Sequence, residues 1–501
     1  MSSPQRAASV ALSTLLAATL ALPAPALAAK VRPDLPSKDA RWSSGTTTTT
    51  DAPDAWWETF ADPALNALVA ESIGSNYDIA AAQARFKQAQ GVTVQQFSPL
   101  VPTASFDVAL NASPTAAQGF QVPPALLEIL DAINSVGGQQ GGGDTSSDDE
   151  QPDVTWNGSA LFNFGLGIDI GASALAFRAA QLDAAAARGD RDGTARQLVA
   201  QVVSSWMDVR NARGRVALLE QQIATNESLL ELTRNRFEGG DASGLDVLQQ
   251  QQQLANTRAL LPQAQQIVRL REQQLAILVA RDPTTITGNL DAIVGLPELP
   301  PNPGLGTPTD LLELRPDLEA LQARYLGAKA RKDAAILGFL PTFRLSGNVG
   351  WNFRWFNEWE STENWGLGVS MSVPLFNGGR RWGALQQAQA TLSAASHALS
   401  AGVLQAQSEV EQALAREETE TSRLAALETQ LAAARTAYEE SARQYAGGLA
   451  NYLTVLTNLA SLQAAELNHL QVRRDLIGAR IDLHTALGAA WTDRISDGAD
   501  R

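Results

Sequence analysis

The chain has 501 residues, 45% hydrophobic and 18% charged, too apolar for disorder and with ample material for a core. Its 38 basic and 53 acidic residues give 38 − 53, a net charge of −15, which excludes the basic footprint that a nucleic-acid partner requires. Cysteine is absent and His397, His469 and His484 are the only imidazoles. This excludes disulfides, thiolate chemistry and lipid attachment to an N-terminal cysteine, and neither cofactor nor metal is expected.

At the N-terminus, Arg6 precedes the apolar run Val10 to Leu22, then Pro23, Pro25 and the small-residue site Ala26-Leu27-Ala28. That order predicts a secretory signal peptide over 1–28, since the run falls short of the roughly 20 residues needed to span a bilayer. Removing Arg6 leaves 37 basic and 53 acidic residues, or −16. A segment 29–60, predicted to be periplasmic, follows.

From residue 61 the chain repeats itself. Asp78-Ile79-Ala80-Ala81-Ala82-Gln83-Ala84-Arg85-Phe86 matches Asp317-Leu318-Glu319-Ala320-Leu321-Gln322-Ala323-Arg324-Tyr325, and Pro102-Thr103 matches Pro341-Thr342 at the same spacing. Phe237-Glu238-Gly239-Gly240-Asp241-Ala242 matches Tyr445-Ala446-Gly447-Gly448-Leu449-Ala450, and Leu245, Val247, Leu248 and Leu254 match Leu453, Val455, Leu456 and Leu462. A tandem duplication is therefore expected: 61–300 and 310–491, with a Pro-rich linker over 301–309 and a tail over 492–501.

Each copy carries two segments that alternate with period two, about 102–112 and 154–170 in the first, 341–355 and 364–374 in the second. In the third, Phe343, Leu345, Val349, Trp351, Phe353 and Trp355 alternate with Arg344, Ser346, Asn348, Asn352 and Arg354. Such a strand has one apolar and one polar face. A half-buried soluble sheet and a membrane strand both fit. Segment length and the crowding of Trp351, Trp355, Trp359 and Trp365 at the strand ends favour the membrane. Four strands cannot close a barrel, and an open edge cannot sit in hydrocarbon, so several chains must pool their strands.

Long helical hairpins follow each strand pair, at 172–282 and 380–488. The stretches 172–237 and 380–446 lack proline, and some 65 residues at about 1.5 Å each reach roughly 100 Å. Gly189, Gly193 and Gly214 make a local break possible, and the glycine pairs at 239–240 and 447–448 read as tight turns. The run Gln249–Gln253 reads as a polar helix face. No P-loop, GxSxG or HExxH is present, and no enzyme is expected.

These residues resemble the TolC-type outer-membrane channel family. The resemblance rests on Pro374-Leu375-Phe376-Asn377-Gly378-Gly379-Arg380, the doubled Phe/Tyr-x-Gly-Gly turns, Trp57-x-x-Phe60-x-Asp62-Pro63, Arg315-Pro316-Asp317 and Ala486-Leu487-Gly488-Ala489-Ala490-Trp491, and it points to the efflux-linked, OprM/NodT-like branch. It implies a mainly α fold: a long α-helical coiled-coil barrel in the periplasm, with four β-strands per chain completing a homotrimeric, twelve-stranded transmembrane β-barrel in outer-membrane lipid. It implies a passive exit duct of a tripartite pump of the resistance-nodulation-division type, partnered by a periplasmic adaptor (membrane fusion) protein and an inner-membrane pump. Members of this branch are often lipoproteins; a chain without cysteine is expected not to be.

By the same resemblance, adaptor docking falls on Gly239, Gly240, Ala242, Ser243 and Leu245 in one copy and Gly447, Gly448, Ala450, Asn451 and Leu453 in the other. Asp246 falls on the channel gate, whereas Thr454 and Thr457 stand where relatives carry aspartates. The plainer alternatives are turn geometry for the glycines and a helix-start acid for Asp246. A duct for type I protein secretion is the nearest alternative function, and a periplasmic coiled-coil scaffold or adaptor a more distant one. The strand-connecting loop 113–153 is expected to face outside the cell.

Overall fold

The computed structural model describes residues 33, 35, 41–43, 55–114, 154–284, 295–355 and 359–488. The expected signal peptide, the tail and nearly all of loop 113–153 lie outside these residues. The elements are α1 (Pro63–Ser75), α2 (Tyr77–Phe97), β1 (Thr103–Pro114), β2 (Val154–Ile168), α3 (Ala172–Glu238), α4 (Gly244–Leu278), α5 (Leu311–Leu314), α6 (Pro316–Leu337), β3 (Thr342–Trp355), β4 (Trp359–Ser372), α7 (Arg380–Ala446) and α8 (Tyr452–Leu487). The order helix, two strands, long helix, shorter helix occurs twice. The described residues fall into two compact units: a helical unit (within 33–92, 179–329 and 387–488) and a unit holding the sheet (within 93–178 and 330–386).

In the helical unit, local chemistry sets the helix starts. Asp62 accepts from the Ala64 and Leu65 N–H groups at 3.0 and 3.2 Å, with Pro63 in the first turn, so Asp-Pro opens α1. Its other oxygen receives the Trp206 indole at 2.8 Å and Arg210 at 2.7 Å. The Trp57-to-Pro63 motif is thus a helix cap joined to a core anchor, in a cluster with Trp56, Phe60, Leu65, Val199, Val202 and Trp206.

The α3 helix runs unbroken through Gly189, Gly193 and Gly214. Gly189 is there because α6 crosses it: a Cβ would fall 2.7 Å from the Pro316 carbonyl oxygen and 3.0 Å from the Ala320 Cβ. Close helix approach, not a break, accounts for this residue.

Buried arginines clasp the helices to one another and, through Arg480, to the linker. Arg480, 3% exposed, donates to Glu417 at 3.0 and 2.5 Å, to the Pro300 carbonyl and to Asn302. Arg315 donates to Asp317 at 2.8 Å, Glu409 at 2.7 Å and the Ala486 carbonyl at 3.1 Å. Burial pushes the Asp317 carboxyl up, but Arg315 and Arg196 outweigh it and hold it below its usual value. The Arg-Pro-Asp motif is such a clasp. His484 stacks on Trp56 at 5.1 Å, and burial, then Arg480, lowers it to about 4.

The sheet is antiparallel with order β1-β2-β3-β4, so among the described residues β1 and β4 are unpaired edges. Register puts Phe106↔Phe162, Phe164↔Gly347, Val349↔Trp365 and Trp156↔Trp355 on one face. That face is exposed in the single chain: Val108, Trp351, Trp365, Leu367 and Val369 all stand open. Phe353 covers Gly158 and Phe164 covers Gly347 so closely that a Cβ would lie 2.1 and 2.0 Å from ring atoms. Glycine here makes room for a cross-strand aromatic. The opposite face carries Asp107, Asn163, Asn348, Asn364 and Arg344, with Asn163 donating to Asp107 at 2.7 Å. β4 begins at Trp359, ahead of the alternation expected from 364.

Candidate functional site

One turn joins the long and short helices of each hairpin. At the first, Gly240 has φ +83°; the Asp241 N–H donates to the Arg236 carbonyl at 2.8 Å and the Gly240 N–H to the Phe237 carbonyl at 3.0 Å. At the second, Gly448 has φ +77°, with Leu449 donating to Gln444 at 2.8 Å and Gly448 to Tyr445 at 3.0 Å. Both are Schellman closures, which require a residue that tolerates the left-handed region.

The helix starts beyond these turns differ. Ser243 Oγ accepts from the Leu245 N–H at 3.0 Å, and the Asp246 carboxylate returns to the Ser243 N–H at 3.1 Å, a capping box. At the second turn Asn451 accepts from the Thr454 N–H at 3.0 Å and the Thr454 hydroxyl at 2.8 Å. The residues expected from sequence therefore fall into turn formers (Gly239, Gly240, Gly447, Gly448), cap formers (Ser243, Asp246, Asn451), and apolar side chains left open to solvent, Leu245 and Leu453. Ala242 and Ala450 are half-buried within the turns. Leu248 and Leu449 extend this exposed apolar surface.

Contacts between residues far apart in sequence join the two tips. Arg236 lies over the Tyr445 ring, its guanidinium carbon 4.5 Å from the centroid. That stacking accounts for its Nε and Nη1, buried without a hydrogen-bond acceptor. Tyr445 and Tyr452 meet edge-on at 5.8 Å, and the Tyr452 hydroxyl donates to Gln250 Oε1 at 2.5 Å. Gln250 in turn donates to the Asn226 carbonyl at 2.9 Å, and Asn226 to the Gln222 carbonyl at 2.8 Å and to Thr257 at 3.3 Å. One glutamine of the 249–253 run is thus fully buried, a correction to the polar-face expectation. Burial raises the Tyr452 and Tyr445 hydroxyl pKa values, and the nearby Asp246 charge adds to both. Tyr445 opens the second Phe/Tyr-x-Gly-Gly turn, but no sequence signal singles out Arg236 or Gln250, since each acts across the two hairpins. Among the described residues no group of three or more His, Asp or Glu could hold a metal ion. His484 is buried in packing and His397 is exposed.

The model of the outer membrane efflux protein family matches residues 68–281 and 307–489. The chain is 26% identical over 455 residues to the pyoverdine export outer membrane protein OpmQ of Pseudomonas putida, covering 90% of this chain and 92% of that one. It is 26% identical over 460 residues to nodulation protein T of Rhizobium leguminosarum, covering 91% and 87%. In fold it is similar to the outer-membrane channel OprN, with TM-score 0.77 at 24% identity over 92% of this chain and 99% of that one. The chain belongs to the outer membrane efflux protein family and is an outer-membrane protein.

Proposed function

We propose that three copies of this chain pool their sheets into a twelve-stranded transmembrane barrel, and that the assembly is the passive exit duct of a tripartite efflux pump of the resistance-nodulation-division type. One observation carries this: the four-stranded sheet presents an exposed apolar face and ends in two unpaired edges, an arrangement that hydrocarbon excludes unless copies pair edge to edge. The doubled order of elements supports a duplicated gene. Relatives named for export support efflux over protein secretion.

In this reading, an adaptor docks on the two tips, with Leu245 and Leu453 as apolar contacts and the glycine turns giving it access. Docking favours an open arrangement over a closed one. Opening separates Arg236 from Tyr445 and Tyr452 from Gln250, the contacts that tie one tip to the other. Three Asp246 carboxylates ring the narrow entrance and favour cations; with Thr454 and Thr457 in the second turn, the ring carries less charge than a doubled aspartate set. The pump and adaptor supply the energy and the selection.

The test is conductance in reconstituted bilayers. Wild type forms cation-preferring pores, and Asp246→Asn weakens that preference. Unchanged ion selectivity removes Asp246 from the entrance, and an absence of pores removes the duct. Drug susceptibility of a deletion strain separates efflux, where it rises, from protein secretion, where it does not.

A further inference from the structure

The apolar face of the sheet does not stop where β4 stops. Val369 and Met371 lie on that face, and the same spacing of two continues through Val373 to Leu375, beyond the last strand residue Ser372. Leu375 is 85% exposed and its neighbour Phe376 is 83% exposed, more than any apolar side chain within the strands. Gly378 and Gly379, at φ +65° and +83°, then turn the chain into α7, which opens with Arg380, Arg381 and the exposed Trp382.

Two bases at the start of a helix oppose its dipole, and the first turn of α7 has no acid, so the helix itself gains nothing from them. Among the described residues neither arginine forms an ion pair. A water-exposed Leu-Phe pair followed within six residues by two unpaired cations and a tryptophan has the composition of a membrane-interface anchor.

We propose that this junction is a phospholipid-binding surface. Leu375 and Phe376 enter the acyl boundary of the leaflet nearest the strand ends, while Arg380 and Arg381 hold the phosphate groups of anionic lipids, with Trp382 at headgroup level. This rests on the reading of the sheet's apolar face as lipid-facing and adds to it a preference for one headgroup charge. Continuity with that face selects lipid as the occupant, and the paired cations select an anionic headgroup.

Full-length protein, purified in detergent, is equilibrated with equal amounts of phosphatidylglycerol and phosphatidylcholine, and the lipid retained per chain is measured together with the oligomer mass. Wild type retains phosphatidylglycerol preferentially. The Arg380→Gln, Arg381→Gln pair lowers that preference by about thirtyfold, the size expected of two basic contacts at an anionic surface, at unchanged oligomer mass. Leu375→Ser with Phe376→Ser lowers retention of both lipids. Equal retention by wild type, or a preference that survives in the arginine pair, overturns the proposal. So does loss of the oligomer in the Leu375/Phe376 variant with lipid retention intact, which assigns the surface to a second copy of the chain. A wild-type protein that is a water-soluble monomer instead overturns the barrel itself.

Discussion

The two helical tips and the linker clasp, both in the helical unit, are held by opposite kinds of interaction. At the clasp, Arg480 and Arg315 are buried and each gathers acids and carbonyls from distant parts of the chain. At the tips the turns and caps close through bonds spanning two to five residues. Among the described residues, what crosses from tip to tip includes Arg236 stacked on Tyr445, the Tyr452 hydroxyl bond to Gln250, and Leu229 packed against Tyr445 and Tyr452. Breaking the clasp strands buried charge, whereas separating the tips uncovers neutral polar groups that water can satisfy and a small apolar cluster. On the proposed function, the clasp stays closed while the tips part.

Substitutions can break this contrast. The largest effect belongs to the clasp: Arg480→Ala leaves Glu417 and the Pro300 carbonyl without their donor and should cost about 3–5 kcal/mol in unfolding free energy, read by denaturant titration. Next is acid. His484 sits at about 4 in the fold against 6.5 for a free imidazole, so the unfolded chain takes up the extra proton in between. The His484 contribution to stability is full above pH 6.5, is lost as pH falls from there to 4 and is gone below it, about 3 kcal/mol in all; His484→Phe should flatten that part of the slope.

At the tips the effects shrink. Tyr452→Phe removes the donor to the buried Gln250 Oε1 and should cost about 1–3 kcal/mol, with the loss confined by hydrogen exchange to the hairpin ends. Gly240→Ala and Gly448→Ala should each cost about 1–2 kcal/mol and resemble one another, because both sit at positive φ in the same closure. Smallest is Asp246→Asn, a few tenths of a kcal/mol, since an amide oxygen can still accept from Ser243. A loss at Tyr452 or Gly448 as large as at Arg480 would erase the distinction between clasp and tip.

The second turn bears on Asp246. Asn451 and Thr454 cap α8 without any charge, so a turn of this geometry does not require a carboxylate. Asp246 closes its capping box with an oxygen that an amide could also supply, so Asp246→Asn tests the charge apart from the cap.

Much of this was readable along the chain because its causes are local. Alternation of Phe343, Leu345 and Val349 against Arg344, Ser346 and Asn348 marks a strand with two unlike faces, and β3 has that register. The long proline-free runs are α3 and α7. The glycine pairs mark the turns, since few other residues accept the positive φ of Gly240 and Gly448. Contacts between distant segments were not readable. Gly189 looks like a weak point until α6 is seen against it, and Gln250 looks like one of five surface glutamines until Tyr452 and Asn226 close around it. Arg236 carries no motif, and its partner ring lies more than two hundred residues away.

The claim on which the functional reading depends is that copies pair β4 of one chain with β1 of the next. The chain has no cysteine, so single cysteines placed along β1 and β4 can report that contact without background. Scanned in pairs under oxidation in detergent, they should give disulfides between chains and a covalent ladder that ends at three. Cross-links only within a chain, or a product that stops at one copy, would contradict it.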